Sequence, residues 1–347
     1  MKKKVYVGLS GGVDSSVTAA LLLEQGYDVT GVYMKNWSQD LPGFECPWKE
    51  DYQDAKRVAV QLGIEFKMYD FETQYRDKVV QYMIDEYQAG RTPNPDIMCN
   101  QEVKFKLFLE TALEDGADMI ATGHYSRVQD GRLLTAKNLD KDQSYFLYRV
   151  TEDALAKSLM PIGEYQTKAE VRAIAQKLGL ATASKKDSQG ICFVGKVGIK
   201  EFLQQFVQTV PGQTIDQAGQ NIGEHDGAIF YTIGQRHGLN IGGGLPYYVV
   251  GKDMAKNQVF VTTNLDDDRL WRENLKLTSV HWINDVPDFS KTYQVRTRYR
   301  APLVGCTLRE IEQGLEVILE EQVRAITPGQ SAVIYDGELV LGGGIVI

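Results

Sequence analysis

Cysteine is scarce: four in 347 residues, at positions 46, 99, 192 and 306, far apart and never in a C-x-x-C pair. That spacing excludes a zinc knuckle or an iron–sulfur site. Histidine is equally rare, and His124, His225, His237 and His281 show no metal-ligand spacing. No apolar stretch is long enough to span a bilayer, and Lys2-Lys3-Lys4 runs straight into Val5 without a signal segment. The expectation is a cytoplasmic protein with no membrane partner, in which a structural disulfide is not anticipated. Positive charge is also in deficit, 38 Lys and Arg against 46 Asp and Glu, for a net charge of −8. Indiscriminate nucleic-acid binding needs a basic surface and is excluded, whereas local basic patches are not.

What remains is ordinary globular composition, 43% hydrophobic and 24% charged, in a chain long enough for two or three domains. Strand and helix signals alternate over the first 120 or so positions. Val5–Leu9, Val29–Met34, Ile64–Tyr69 and Met119–Ala121 read as strands; the stretches after Val13, Asp51–Leu62, Tyr75–Tyr87 and Val103–Leu113 read as helices. This order predicts an α/β fold with a doubly wound parallel sheet and ligands at the carboxyl ends of its strands. Lys168–Leu178 reads as a further helix of the same unit. From about residue 205 Gly-rich turns separate short strands, and after Trp271 strand patterns recur at Leu275–Trp282, Tyr293–Arg300, Leu303–Arg309, Leu315–Leu319, Ser331–Tyr335 and Leu339–Ile345. The expected division is a nucleotide domain at 1–204, a small central domain at 205–272 and an antiparallel β-barrel at 273–347.

Between the first strand and first helix stands Ser10-Gly11-Gly12-Val13-Asp14-Ser15-Ser16. Two glycines permit a tight turn, and serine hydroxyls with backbone N–H groups surround a helix N-terminus, which favours an anion. The loop lacks the lysine of a Walker A motif. It resembles the pyrophosphate loop of the ATP pyrophosphatases, which split ATP between its α and β phosphates and adenylate a substrate oxygen.

A second polar segment, Arg91-Thr92-Pro93-Asn94-Pro95-Asp96-Ile97-Met98-Cys99-Asn100, carries two prolines and reads as a stiff extended loop. Cys99 is expected at or just before the Val103 helix, where the dipole favours a thiolate, with Asp96 close enough to serve as acid or base. Cys192, between Ile191 and Phe193, fits a core position as well as a reactive one. Gly190–Lys196 matches G-x-x-x-x-G-K, but Val197 replaces the magnesium-binding Ser or Thr and no strand precedes it, so a second nucleotide site is rejected. Arg296, Arg298 and Arg300 would share one face of a strand, as a phosphate-binding stripe or as a solvated barrel face.

Together these motifs resemble the tRNA-specific 2-thiouridylases, which replace the C2 oxygen of the wobble uridine with sulfur. The resemblance spans the chain through Gly8–Ser16, Asn94-Pro95-Asp96, Cys99-Asn100, Ala121–Tyr125, Lys141–Phe146, Ser188–Phe193, Tyr231–Arg236, Pro328–Val333 and Leu341–Gly344. It implies that ATP is held by Gly8, Leu9, Ser10, Gly11, Gly12, Val13, Asp14, Ser15, Met34 and Gly123, with Mg2+ accompanying the nucleotide. The target base would meet Asn94, Pro95 and Asp96. Cys192 would receive a persulfide from a protein sulfur donor (a cysteine desulfurase or a sulfur-relay carrier), Cys99 would be its catalytic partner, and the two would form a transient disulfide. Contacts to the tRNA anticodon loop would come from His124, Lys141, Asp142, Gln143, Arg298, Tyr299, Arg300 and Gln330. Two other readings explain the loop: a small-molecule ATP pyrophosphatase, which leaves both cysteines and the barrel without a task, and a non-catalytic nucleotide-binding module.

Overall fold

A computed structural model describes residues 2–40, 45–186, 198–239, 241–242, 244 and 246–347. The segment 187–197, with Cys192 and the G-x-x-x-x-G-K match, lies outside the described residues.

The first unit is built on five parallel strands: β1 (Lys4–Gly8), β2 (Asp28–Lys35), β3 (Glu65–Asp70), β4 (Met119–Ala121) and, beyond a later hairpin, a two-residue strand at Ser158–Leu159. Strand β1 is central, flanked on one side by β2 and β3 and on the other by β4 and Ser158–Leu159. The direction of winding reverses between β1 and β4, which makes the crevice beyond their carboxyl ends the place for a ligand. Val5, Val7 and Leu9 are buried, as is usual for strands covered on both faces. Helix α1 (Val13–Glu24) buries Val13, Val17 and Leu21 against Val171 and Ala175 of the helix Lys168–Lys177, so that helix belongs to this unit as expected. Helix α2 (Trp48–Leu62) covers β2 and β3 and ends on Gly63 in the left-handed conformation.

The prolines of the 91–100 segment act differently from expectation. Helix begins at Pro95 and continues to Glu114, with a wide π segment over Cys99–Leu107. Pro95 stands at the first helical position, where its missing N–H costs nothing and its fixed φ suits the helix. Asn94 caps it, its Oδ1 accepting from the Ile97 N–H at 3.4 Å. Only Arg91–Asn94 is non-helical.

A hairpin, β5 (Ser126–Gln129) and β6 (Arg132–Thr135), follows β4 and joins the C-terminal sheet through Leu134 opposite Leu339. The central unit is a four-stranded sheet of Gly212–Ile215, Asn221–His225, Tyr248–Asp253 and Gln258–Thr262. The six strands Trp271–Trp282, Thr292–Arg296, Val304–Ile311, Gly314–Arg324, Ser331–Asp336 and Leu339–Val346 form an antiparallel barrel, closed because the first pairs with both the fourth and the last. Leu277, Val295, Cys306, Val317 and Ile334 fill it. Among the described residues no helix is long and apolar enough to cross a membrane.

Candidate functional site at the sheet edge and domain junction

The Ser10–Ser16 loop folds around its own serines. Ser15 Oγ accepts from the Ser10 N–H at 3.1 Å and lies 3.2 Å from Ser10 Oγ, while the Ser16 hydroxyl donates to the Gly12 carbonyl at 2.7 Å. Gly11 has φ +74°, and a Cβ there would strike the Asp51 carbonyl of α2. A left-handed backbone packed this tightly admits only glycine. From the other flank of the switch point, Gly123 abuts the loop: its Cβ would lie 2.7 Å from Ser15 N and 2.9 Å from the Asp14 carbonyl carbon. Met34, near the end of β2, lays its methyl over Gly8. Gly8, Gly11, Ser15, Met34 and Gly123 are therefore brought to one end of the sheet. Asp14 faces sideways, accepting from Lys168 Nζ at 2.6 and 2.7 Å and from the Tyr125 hydroxyl at 3.0 Å, which ties the loop to the neighbouring helix.

Beside this end runs the helix 95–114. Phe108 on it approaches Gly8, and Phe105 packs against the His124 ring at 5.7 Å. Asp96 lies in its first turn, where burial raises its carboxyl above the usual carboxylate range and Lys104 opposes the rise. Cys99 is fifth in the helix and 3% exposed, inside the main core. The helix starts at Pro95, so Cys99 lies one turn inside it rather than at its end, where the dipole acts most strongly. The next residue, Asn100, donates to the Phe146 carbonyl at 3.1 Å.

The non-helical Thr92–Asn94 stretch is gripped by both other units. Thr92 N–H donates to the Pro328 carbonyl at 2.9 Å, and Gln330 Nε2 donates to the carbonyls of Thr92 and Pro93 at 2.8 and 3.2 Å. The Thr92 hydroxyl meets that of Thr232 in the central unit at 3.1 Å. Arg298 Nη2 donates to the Ile233 carbonyl at 3.1 Å, the Ala325 carbonyl at 2.5 Å and the Thr327 hydroxyl at 2.6 Å, joining central unit to barrel. Burial lowers the pKa of Arg298. No local sequence signal marks Thr92 or the Arg298 clamp, because each depends on residues more than 25 positions away.

The arginine stripe does not form. The strand Thr292–Arg296 stops at Arg296, and Arg300 has φ +62°. Arg296 is 9% exposed and pairs at 3.2 Å with the fully buried Asp142, which also accepts from the N–H groups of Ala136 and Ser144 and from the Ser144 hydroxyl. Three arginines expected on one face thus serve a buried ion pair, a carbonyl clamp and an exposed turn. The last of these sets Arg300 over the Tyr299 ring at 5.1 Å, and Tyr299 packs on Phe146 at 4.5 Å, a ledge that spacing alone did not reveal. Gln143 pairs with the Tyr125 backbone in both directions, at 2.9 and 2.7 Å. His124 is buried with Nδ1 2.8 Å from the Thr122 hydroxyl, and burial together with the charge of Lys104 lowers its pKa. Lys141 is half-buried.

A glycine-serine loop at the switch point of a parallel sheet, followed by a small sheet and a closed barrel, defines a PP-loop α/β protein with two appended β units. Three family models match in this order: "tRNA methyl transferase HUP domain" over 3–196, "tRNA methyl transferase PRC-barrel domain" over 200–263 and "Aminomethyltransferase beta-barrel domain" over 272–346. The chain is 50% identical over 354 residues to the tRNA-specific 2-thiouridylase MnmA of Bacillus subtilis, covering 99% of this chain and 94% of that protein. It is 49% identical over 350 residues to MnmA 2 of Geobacillus kaustophilus, with the same coverage, and 47% identical over 356 residues to MnmA of Streptococcus thermophilus, covering 99% and 95%. The chain belongs to the tRNA-specific 2-thiouridylase family.

Proposed function

We propose that the chain carries out ATP-dependent 2-thiolation of the wobble uridine of tRNA. One observation supports the reading: the helix that bears Asp96 and Cys99 runs past the Ser10–Ser16 loop, with Phe108 approaching Gly8 and Phe105 packing on His124 beside Gly123. The residues Gly8–Ser15, Met34 and Gly123 hold ATP, which arrives as its magnesium complex, and Asn94, Pro95 and Asp96 take the base. The uracil O2 attacks the α-phosphorus; a new O–P bond forms, and the bond to the bridging oxygen breaks with its electron pair leaving on pyrophosphate. The N3 proton passes to Asp96, whose raised pKa suits it to hold a proton. The poor carbonyl oxygen has then become part of a good leaving group, AMP.

Sulfur arrives on Cys192 as a persulfide delivered by a protein donor. The Cys99 thiolate attacks Cys192 Sγ, forming a Cys99–Cys192 disulfide and releasing sulfide. Sulfide adds to C2, AMP leaves with the C2–O electron pair, and a thiol reductant restores both cysteines. A buried Cys99 must become accessible for this exchange. Of the proposed tRNA contacts, Arg300 is exposed and Lys141, Gln143 and Tyr299 are half-exposed; buried His124 and Asp142 act through the loops they brace. The wobble uridine must leave its stack, which suits a single-stranded anticodon loop. We place the functional division at 1–204, 205–272 and 273–347 and the reaction in the cytoplasm. Pyrophosphate release tests the reading: it should require unmodified tRNA. Equal release without tRNA would favour a small-molecule ligase, and stable ATP binding without release a non-catalytic module.

A further inference from the structure

We propose that Lys104, on the helix 95–114, is a further catalytic residue of the adenylation step: its ammonium binds the α-phosphate of ATP between the Ser10–Ser16 loop and the target-base site. This rests on the thiolation reading and deepens it. The loop supplies serine hydroxyls and backbone N–H groups but no cation, so any protein cation for that phosphate comes from another element. Hydrogen bonds in the π segment Cys99–Leu107 reach from i to i+5, so residues four and five apart lie one above the other. Lys104 is therefore one turn along from Cys99 and Asn100, and Phe108 is one turn beyond it. Phe108 is the side chain that approaches Gly8 at the root of the loop, its Cε1 lying 3.6 Å from where a Cβ on Gly8 would be. The residue beside Lys104, Phe105, packs on the His124 ring at 5.7 Å, and His124 follows the Gly123 that abuts Ser15.

The charge of Lys104 reaches both sides of this gap. It opposes the rise that burial imposes on the Asp96 pKa, and it adds to the fall that burial imposes on that of His124. An ammonium felt at the base site and also next to Gly123 lies where the uracil O2 and the α-phosphorus have to meet. Lys104 is half-buried, whereas its neighbour Lys106 is exposed and turns to Glu102 at 3.3 Å. Partial exclusion of water strengthens the pull of such a charge on a phosphate. In the step itself O2 bonds to the α-phosphorus, and the bond to the bridging oxygen breaks with its electron pair leaving on pyrophosphate. The non-bridging oxygens of the α-phosphate then face an incoming oxygen as well as a departing one. Lys104 donates hydrogen bonds to them and keeps its own proton, while the N3 proton goes to Asp96.

The test uses the whole protein with AMP and adenosine, probes that differ only in the α-phosphate. Lys104→Met removes the charge and keeps the length of the side chain. Calorimetric titration should show its Kd for AMP raised about tenfold or more, the worth of one charge-assisted hydrogen bond, with Kd for adenosine within about twofold. Pyrophosphate release in single turnovers with unmodified tRNA should fall about a hundredfold, as when one donor to a developing charge is lost. Lys104→Arg, which keeps the charge, should recover part of both losses, and Lys106→Met should match the unaltered protein. The acid limb of the pH profile for pyrophosphate release gives a readout that a structural role would not move. It should shift to higher pH in Lys104→Met, because the Asp96 carboxyl rises further once the lysine's charge is gone. Unchanged AMP affinity in Lys104→Met would overturn the proposal. Normal pyrophosphate release with loss of 2-thiouridine would overturn it too, by placing the lysine's task at Cys99. Equal loss of AMP and adenosine binding in both Lys104 variants would mark a structural role and overturn it as well. Absence of 2-thiouridine with the unaltered protein would instead overturn the thiolation reading beneath it, and the AMP result would stand apart from that.

Discussion

Gly123→Ala isolates what the switch-point geometry does for nucleotide binding. Gly123 is not in the left-handed region, so alanine adds a methyl group without backbone strain, and the effect is steric. That methyl would sit 2.7 Å from Ser15 N and 2.9 Å from the Asp14 carbonyl carbon, both backbone atoms at the start of α1. Neither can rotate aside, so the helix start must move away from β4. Inserting one carbon into a packed site costs about 1–3 kcal/mol, which leaves a protein of this size folded. The phosphate loop moves with the helix, because Ser15 Oγ accepts from the Ser10 N–H. Loss of one charge-assisted hydrogen bond to a phosphate costs about 1.5–3 kcal/mol, or about ten- to a hundredfold in Kd. Calorimetric titration with ATP should show that weakening, with a modest fall in Tm. Gly223→Ala is the control: it meets nothing within 4 Å and has no left-handed φ, so ATP affinity and Tm should be unchanged. An unaltered ATP Kd in Gly123→Ala, with the methyl in place, would refute the assignment of this end of the sheet to the nucleotide.

Three further outcomes follow from other parts of the structure. Asp142→Ala leaves Arg296 buried beside unpaired N–H and hydroxyl donors, so thermal or urea unfolding should show a loss of about 3–5 kcal/mol. Asp96 binds its proton more tightly folded than unfolded, so its ionisation lowers stability as pH rises from the ordinary carboxylate range through its raised pKa. Asp96→Asn should accordingly raise Tm at neutral pH, lose that advantage in acid, and abolish thiolation; a lower Tm at neutral pH would contradict the burial argument. Arg298→Ala removes a donor to three acceptors on two units, and proteolysis near Ile233 should accelerate while ATP affinity is unchanged.

The parallel order of the first sheet was readable because each strand is a short apolar run followed by a helical period, and the loop at Ser10 follows the central one. The barrel strands were readable for a similar reason, through alternation broken by turn residues. Reading failed where a residue's partner is remote. Arg296, Arg298 and Arg300 alternate as a strand would, yet Asp142 draws the first inward and the carbonyls of Ile233 and Ala325 hold the second. Pro95 was read as a helix breaker, but at the first helical position after an Asn cap a proline starts a helix. The hairpin Ser126–Thr135 was not among the strands read from the sequence; it joins the barrel sheet through one pairing, Leu134 with Leu339. The motif residues around the nucleotide loop were legible as a group, whereas the grip on Thr92 was not, because its three partners come from two other units.

The most direct test of the account is the product itself. The unaltered protein, Cys99→Ser and Cys192→Ser would each be incubated with ATP, magnesium, a persulfide donor and unmodified tRNA. The RNA would then be digested and searched by mass spectrometry for 2-thiouridine. The account predicts 2-thiouridine from the unaltered protein and none from either variant. A methylated nucleoside in place of 2-thiouridine, or full thiolation by Cys192→Ser with the persulfide donor, would contradict it.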